Sequence, residues 1–478
     1  MQNFKMDIPE IESELGEVVR MFGASDNPSF KIDFFWNLAH SEEIFVRINN
    51  QTFSYPKPII HAQIKHEYRR LFVREAKKAL YKALESHLGH SLPWGATTGI
   101  RPTKLVYEML GRGETLPTIV KNLQKEFFIS APKADLVTQI VANQTGFLER
   151  NSRFVNLYIH IPLCPDKCKY CSFVSVPMHK QKGLIAPYVE KLVQEIQAAK
   201  AFIASNNQKI YSVYMGGGTP TALDDMDFKT ILQAVGSLTK GTEFTVEAGR
   251  PETITREKCT IMQACGVTRV SVNPQSLNDD TLISIGRGHT VEDFYTAFNV
   301  AKAFGFSINT DCIAGLADES SEDFMHTMDR LVALKPDNIT LHTLSVKRGS
   351  ILKESRQGIA GDSNPCNSGL VNNSISNRVE KSLQLLSQNG YLPYYLYRQK
   401  QMLENLENIG FCLPNTQCVN NISVMEESLS VVACGAGAIS KRIEHDKNLI
   451  QRFANPKDIK LYLERFDTIL KNKQQFFA

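Results

Sequence analysis

Between residues 155 and 344 six short runs rich in β-branched and aromatic residues alternate with longer amphipathic stretches, and this alternation restricts the fold more than any other feature of the chain. The runs are VNLYIHI (155–161), IYSVYM (210–215), EFTVEA (243–248), TRVSVN (268–273), SINTDCI (307–313) and NITLHTL (338–344). The stretches between them, such as PYVEKLVQEIQAAKAFI and VEDFYTAFNVAKAFGF, carry apolar residues at helical spacing. Strand, helix and strand repeated in this way leave few topologies, because right-handed crossovers lay successive strands parallel. Six such units predict an α/β fold built on a partial (β/α)6 barrel.

The flanks differ from this core. Residues 1–150 predict an N-terminal α+β domain of unknown role: strands in KIDFFWNL and EEIFVRINNQTFSY, a basic helix HEYRRLFVREAKKALYKALESHL and a polar loop WGATTGIRPTK. The barrel is expected over residues 151–360. Residues 361–478 predict a mostly helical extension covering the substrate, entered through GIAGDSNPCNSGLVNNSISN, whose Asn, Ser and Gly content reads as an exposed linker. In VEKSLQLLSQNGYLPYYLYRQKQ a helix, a Gly turn and an aromatic strand are expected. No internal repeat is found.

With 42% hydrophobic and 22% charged residues, the 478-residue chain has the composition of a globular protein of several domains. Its net charge of +4 is mild for this length and argues against a dedicated nucleic-acid binder. MQNFKMDIPEIESELGEVVR lacks the basic and apolar regions of a secretory signal, and no apolar run approaches the roughly 18 residues of a membrane span. A cytoplasmic location is expected, in which the ten cysteines are reduced thiols or metal ligands rather than a disulfide framework.

In a parallel barrel the loops after the strands converge on one mouth, so polar residues at strand ends carry chemistry. The first strand runs into LCPDKCKYCSF, with Cys164, Cys168 and Cys171 spaced CxxxCxxC; the second ends in GGGTP (216–220). The third ends at Glu247 and the fourth at Asn273 and Gln275, while the fifth carries Asp311 and the sixth His342. Soft thiolates select zinc or iron–sulfur clusters. Three cysteines on one loop can hold three irons of a four-iron cluster and leave the fourth open; structural zinc, with His160 or His179 as fourth donor, is the rival, although its usual paired knuckles are absent.

These motifs resemble the radical S-adenosylmethionine superfamily: CxxxCxxC with Tyr170 before the third cysteine, preceded by YIHIP and followed by GGGTP. YIHIPLC, MGGGTPTAL, VEAGRPETIT, VSVNPQSLNDDTLISIGRGHT, DCIAGL and GAGAIS, in that order, are similar to the oxygen-independent coproporphyrinogen III oxidase family. GATTGIRPTK and YYLYRQKQMLENLENIGF resemble its HemZ branch. The resemblance implies a 4Fe-4S cluster on Cys164, Cys168 and Cys171, with Tyr158 beside it among the catalytic residues. It implies one or two molecules of S-adenosylmethionine, bound by Tyr158, Tyr170, Gly217, Gly218, Thr219, Glu247, Gln275, Arg287 and Asp311. The implied reaction is oxidative decarboxylation of two propionates of coproporphyrinogen III to give protoporphyrinogen IX. The tetrapyrrole would give Lys347, Arg348 and Arg398 carboxylates to meet, and a flavodoxin- or ferredoxin-like donor would supply electrons, with no nucleic acid and no membrane span. The oxidase branch ends its motif CxC, whereas Phe173 stands at that position here, as in the related haem-chaperone branch; GLA (315–317) replaces the usual GLP. Haem binding or delivery on the same fold is therefore the rival reading, although the HNxxYW motif of that branch is absent, the corresponding stretch being NLENIGF.

Overall fold

The computed structural model describes residues 4–477 apart from 24–29, 38–40, 62–64, 100, 237, 346–373, 400–401 and 448. At the N-terminus β1 (Phe4–Met6), β2 (Ile32–Phe35), β3 (Glu43–Ile48) and β4 (Gln51–Pro56) form a sheet in that order. In β3 every second residue, Ile44, Val46 and Ile48, is buried, the alternation of a strand with one covered face. The cover comes from helices Glu12–Met21 and Lys65–Leu88, whose Leu15, Val18, Leu80 and Leu84 join Phe34 and Val46 in a separate core. The strands and basic helix expected here are present. Three further helices, Thr103–Gly111, Leu116–Phe127 and Ala131–Asn143, follow the polar loop, and their apolar residues Val106, Ile119, Leu123, Val137 and Ile140 belong to the core of the large sheet instead.

That sheet begins with β5 (Phe154–Ile161); the cysteine loop after it is closed by the two-residue pair β6 (Leu163–Cys164) and β7 (Val176–Pro177). Then come β8 (Lys209–Gly217), β9 (Glu243–Glu247), β10 (Arg269–Ser271), β11 (Ser307–Ala314) and β12 (Asn338–Thr343). Each pairs parallel with the next in sequence order, so all six expected strands stand side by side. Two of the crossover helices start on full capping boxes, Thr290 with Asp293 and Ser320 with Asp323, each cap contributing about 1 kcal/mol. Phe228, Phe294, Phe298 and Phe324 on the crossover helices are fully shielded, at roughly 2 kcal/mol each.

The described C-terminal residues contain helices Ile375–Gln388, Val419–Glu426, Ile459–Glu464 and Phe466–Phe477, but also five strands that extend the same sheet. Here the extension is less helical than expected. The aromatic run expected as a strand is β13 (Leu392–Tyr397), which pairs with β14 (Asn408–Cys412) beyond β12. β15 (Ser430–Cys434) lies parallel to β5 as a seventh parallel strand, followed by antiparallel β16 (Ile439–Glu444) and β17 (Leu449–Ala454). A five-residue apolar run such as SVVAC has no diagnostic periodicity of its own; the open edge of β5 makes it a strand. Among the described residues the eleven-stranded sheet, ordered β13-β14-β12-β11-β10-β9-β8-β5-β15-β16-β17, is not a closed barrel.

The concave face is plugged from below by the segment between β14 and β15. Buried Arg269 on β10 meets Glu243 at 3.2 Å, Asn338, and the Thr416 carbonyl at 2.9 Å. Asn420 Nδ2 donates to Ser212 Oγ at 2.9 Å, and Asn156 Nδ2 donates to Ser423 Oγ at 2.6 Å. These contacts pair buried polar groups of the lower layer, and residues at the carboxyl ends of the strands line the cavity.

Candidate active site

At those strand ends lies a cavity of ≈ 360 Å³ lined by Cys164, Cys168, Cys171 and Tyr170 of the cysteine loop and by Glu247, Gln275, Arg287 and Asp311 from the strands and the loops after them. Strand register brings the second group together: Glu247 stands beside Ser271, Ser271 beside Asn309, and Asp311 beside Thr340. Alternate residues of a strand share a face, so these side chains all rise into the same space.

The cysteine loop is held at several points. The Lys169 amide donates to the Ile285 carbonyl at 3.0 Å, and the Cys171 amide to the Cys168 carbonyl at 3.1 Å. Thr219 Oγ1 lies 3.6 Å from Cys164 Sγ. Two guanidiniums approach Cys168 Sγ, Arg250 at 3.5 Å and Arg287 at 3.9 Å. Burial pushes the Cys164 and Cys171 thiols up, so binding a metal there must displace protons. Among the described residues no three His, Cys, Asp or Glu side chains converge as the ligands of a single ion do. His160 is not aimed at the thiols: its Nε2 pairs with the Val174 carbonyl at 3.2 Å, and burial lowers its pKa to about 4. All nine described cysteines are free.

The glycine run owes its composition to close approach. A Cβ on Gly217, whose φ is +109°, would overlap the His160 ring; one on Gly216 would overlap the Glu247 carboxyl; one on Gly218 would overlap the Leu163 carbonyl. The Gly217 amide donates to Glu247 Oε2 at 3.2 Å and the Tyr214 hydroxyl to Oε1 at 2.6 Å. Burial nonetheless raises the Glu247 pKa. At Asp311 burial also opposes the charge, but His342, 3.6 Å away, with Asn309 and Thr340 outweighs it and holds the carboxyl low. Asn273 and Asn309 each donate to this carboxylate at 2.8 Å.

Several polar atoms in this wall have no protein partner: Asn273 Oδ1, Gln275 Oε1 and Arg287 Nε. Gln275 also holds a left-handed backbone, φ +70°, a conformation that collects at ligand sites. Buried and unpaired donors and acceptors beside three thiols and two guanidiniums suit an organic ligand with amine, carboxylate and hydroxyl groups next to a cluster that carries negative charge. The residues present fit a four-iron cluster and S-adenosylmethionine.

Of the cluster and S-adenosylmethionine residues that the resemblance implies, Tyr158 alone does not line the cavity. It stacks on Tyr214, ring centroids 6.2 Å apart at 26°, and Tyr214 does line it. Arg398 is buried and turned to the N-terminal loop, donating to the Thr97 carbonyl at 2.7 Å; Lys347 and Arg348 lie outside the described residues. The cavity adds residues not singled out beforehand: Arg250, Tyr214, Asn309, and the stacked pair Tyr395 and Tyr397 on β13. A Cβ on Gly410 would overlap the Tyr395 ring, so the ring lies flat across the neighbouring strand. Alternation in YYLY could have pointed to Tyr395 and Tyr397; nothing local marks Arg250 apart from its place in GRP.

The Radical SAM superfamily model matches residues 158–331. The chain is 36% identical over 403 residues to the oxygen-independent coproporphyrinogen-III oxidase-like protein HemZ of Bacillus subtilis, covering 82% of this chain and 78% of that protein. It is 29% identical over 317 residues to the heme chaperone HemW of Haemophilus influenzae, covering 65% of this chain and 76% of that one. Coproporphyrinogen III oxidase (HemN) from Escherichia coli, a radical SAM enzyme, shares the fold with a TM-score of 0.52 at 21% identity, over 67% of this chain and 71% of that structure.

Proposed function

Because the chain belongs to the radical S-adenosylmethionine superfamily, in the family of the coproporphyrinogen oxidase-like protein HemZ, we propose that it catalyses the oxygen-independent oxidative decarboxylation of coproporphyrinogen III to protoporphyrinogen IX in haem biosynthesis. The observation that carries this reading is the single cavity in which three free thiols face a wall of unpaired polar atoms. A four-iron cluster held by Cys164, Cys168 and Cys171 would supply reducing electrons, and S-adenosylmethionine bound beside it would supply the hydrogen-abstracting chemistry.

Cys164, Cys168 and Cys171 hold the cluster, and Arg250 and Arg287 offset the charge at Cys168. Gly217, Gly218 and Thr219 offer backbone groups to S-adenosylmethionine because no side chain stands between them and the cavity. Glu247 and Asp311 take its ammonium and ribose hydroxyls, Gln275 and Arg287 its carboxylate and remaining polar atoms, and Tyr170 flanks the cysteines. Tyr158 acts through Tyr214, whose hydroxyl bonds Glu247. The apolar macrocycle of the tetrapyrrole rests against Tyr395, Tyr397 and the exposed ring of Phe173, 70% accessible at the cavity edge. The electron donor is a low-potential flavodoxin- or ferredoxin-like protein, and the setting is the cytoplasm, where thiols stay reduced; among the described residues no helix is long and apolar enough to cross a membrane.

A second reading, haem binding and delivery, is favoured by Phe173 standing where the oxidase motif has a further cysteine and by the HemW relatives. One anaerobic experiment separates the two. Reconstituted protein is given coproporphyrinogen III, S-adenosylmethionine and a low-potential reductant, and tetrapyrrole masses and 5′-deoxyadenosine are followed together, with Cys168→Ala as control. Loss of two CO2 per tetrapyrrole, abolished in the variant, is expected. Cofactor cleavage without decarboxylation, together with stoichiometric haem binding, would overturn the oxidase reading in favour of the second.

A further inference from the structure

Two stretches that the reaction cavity does not use, the basic helix Lys65–Leu88 and the loop that follows Trp94, meet at a second cavity of ≈ 450 Å³. Arg70, Arg74, Lys77 and Lys78 recur along the helix at the spacing that places side chains on one face. The facing wall is Thr97, Thr98, Gly99 and Arg101 with the first turn of the helix Thr103–Gly111, which brings Lys104. Val73, Ala96, Pro102, Leu105 and Phe127 give the interior an apolar lining.

Among the described residues the cavity is strongly basic: with Arg69, seven cations line it against the carboxylates of Glu14 and Glu108, and Glu75 and Glu427, outside it, pair with Lys78 and Arg101. Glu108 is shared by Arg70 and Arg74, the latter at 3.2 Å, so two guanidinium forks converge on one acid group. Arg74 is fixed over the Phe127 ring at 5.2 Å, and Lys77 Nζ donates to Thr98 Oγ1, tying helix to loop. A solvated basic surface needs neither a concave apolar lining nor guanidiniums held in place by stacking.

We propose that this cavity is a second binding site, separate from the reaction cavity, for an organic polyanion: an apolar or aromatic body that bears at least two carboxylate or phosphate groups. The body is shielded against Phe127, Leu105 and Val73, and the acid groups meet Arg74, Lys77 and Lys104 at the rim. Carboxylates of a tetrapyrrole and phosphates of a nucleotide present the same chemistry of oxygen anions on a planar apolar body, and two titrations tell them apart. The site does not depend on the reading given to the reaction cavity.

The test is anaerobic calorimetric titration of the cluster-reconstituted full chain with ADP in one arm and coproporphyrin III in the other. Two variants are compared, Arg74→Glu with Lys77→Glu, and the gentler Lys77→Gln with Lys104→Gln; Arg101 is left intact because it also holds the Met425 carbonyl at 3.2 Å. One arm is expected to show one equivalent that weakens at least ten-fold in the charge-reversed variant, several-fold in the other and further in high salt, any coproporphyrin held in the reaction cavity being a separate equivalent that the variants leave unchanged. S-Adenosylmethionine binding should stay within two-fold throughout. Binding of ADP alone assigns the phosphate source and of coproporphyrin alone the carboxylate source. No binding in either arm, or binding unchanged in both variants while they retain wild-type helix content, overturns the proposal and leaves the reaction untouched, just as a failed turnover assay would leave this site standing.

Discussion

Gly217 shows how narrowly a single position can be constrained. Its φ of +109° is a conformation that side chains avoid, and a Cβ there would overlap His160. Gly217→Ala is expected to cost about 2–5 kcal/mol and to abolish S-adenosylmethionine binding, read by urea denaturation and by equilibrium dialysis. Wild-type midpoint and wild-type binding together would refute the close-approach account. Glu319, after β11, makes a separate residue-scale prediction. It is buried, accepts from Ser276 Oγ at 2.6 Å through one oxygen, and has no partner on the other. Burial raises its pKa from 4.5 to about 7. An acid whose pKa is raised by folding favours the folded state when protonated, so that contribution is complete below about 4.5 and is lost as pH rises through about 7, up to about 3 kcal/mol in all. Thermal melts from pH 5 to 8.5 should therefore fall more steeply for the wild type than for Glu319→Gln, which should be the more stable of the two at pH 8. Parallel curves would place the pH dependence elsewhere. The thiols, the glycines and Asp311 were legible in the sequence because contiguous motifs mark them, whereas Arg250 was not: it reaches Cys168 only by folding across 82 residues of chain.

At the scale of elements, the six parallel strands follow from local patterning, since each is a short β-rich run set off by amphipathic helical stretches. β15 does not, because its five apolar residues become a strand only by pairing with β5. What secures this edge is a buried ionic cluster rather than the strand itself. Glu195, on the helix Ile185–Ser205, accepts from the Gly435 amide at 2.6 Å, Tyr462 at 2.7 Å and Asn455 at 2.9 Å, and pairs with Lys473 of the last helix. Removing only the cation leaves a buried charge uncompensated. Lys473→Met is expected to destabilise by about 3–5 kcal/mol, and Glu195→Gln with Lys473→Met to recover part of the loss, both measured as urea midpoints. Equal losses in the single and double variants would mean that packing of the last helix, not charge, is what matters.

Across the whole molecule, the N-terminal residues divide between two cores: those up to Leu84, with Ala96, surround the four-stranded sheet, while Trp94 and the helices through Val141 join the large one. Trp94 Nε1 donates to Glu407 Oε2 at 2.7 Å, Lys133 pairs with the same carboxylate, and Gln144 Nε2 donates to the Tyr394 carbonyl at 2.9 Å. A chain beginning at residue 93 is therefore expected to remain folded and monomeric, whereas one beginning at 151 exposes the β13 side of the core and aggregates; size-exclusion chromatography of the two distinguishes these outcomes, and a monodisperse shorter chain would show that the helices are dispensable. Sequence by itself determined the six strands and their order, the cysteine loop and the glycine turn, because these rest on periodicity and on residues adjacent in the chain. Only tertiary structure decided the seventh parallel strand, the plug beneath the cavity, the guanidiniums beside Cys168 and the basic cavity between helix and loop. Each of these is a contact between distant segments, set by which surfaces remain to be buried once the local elements have formed.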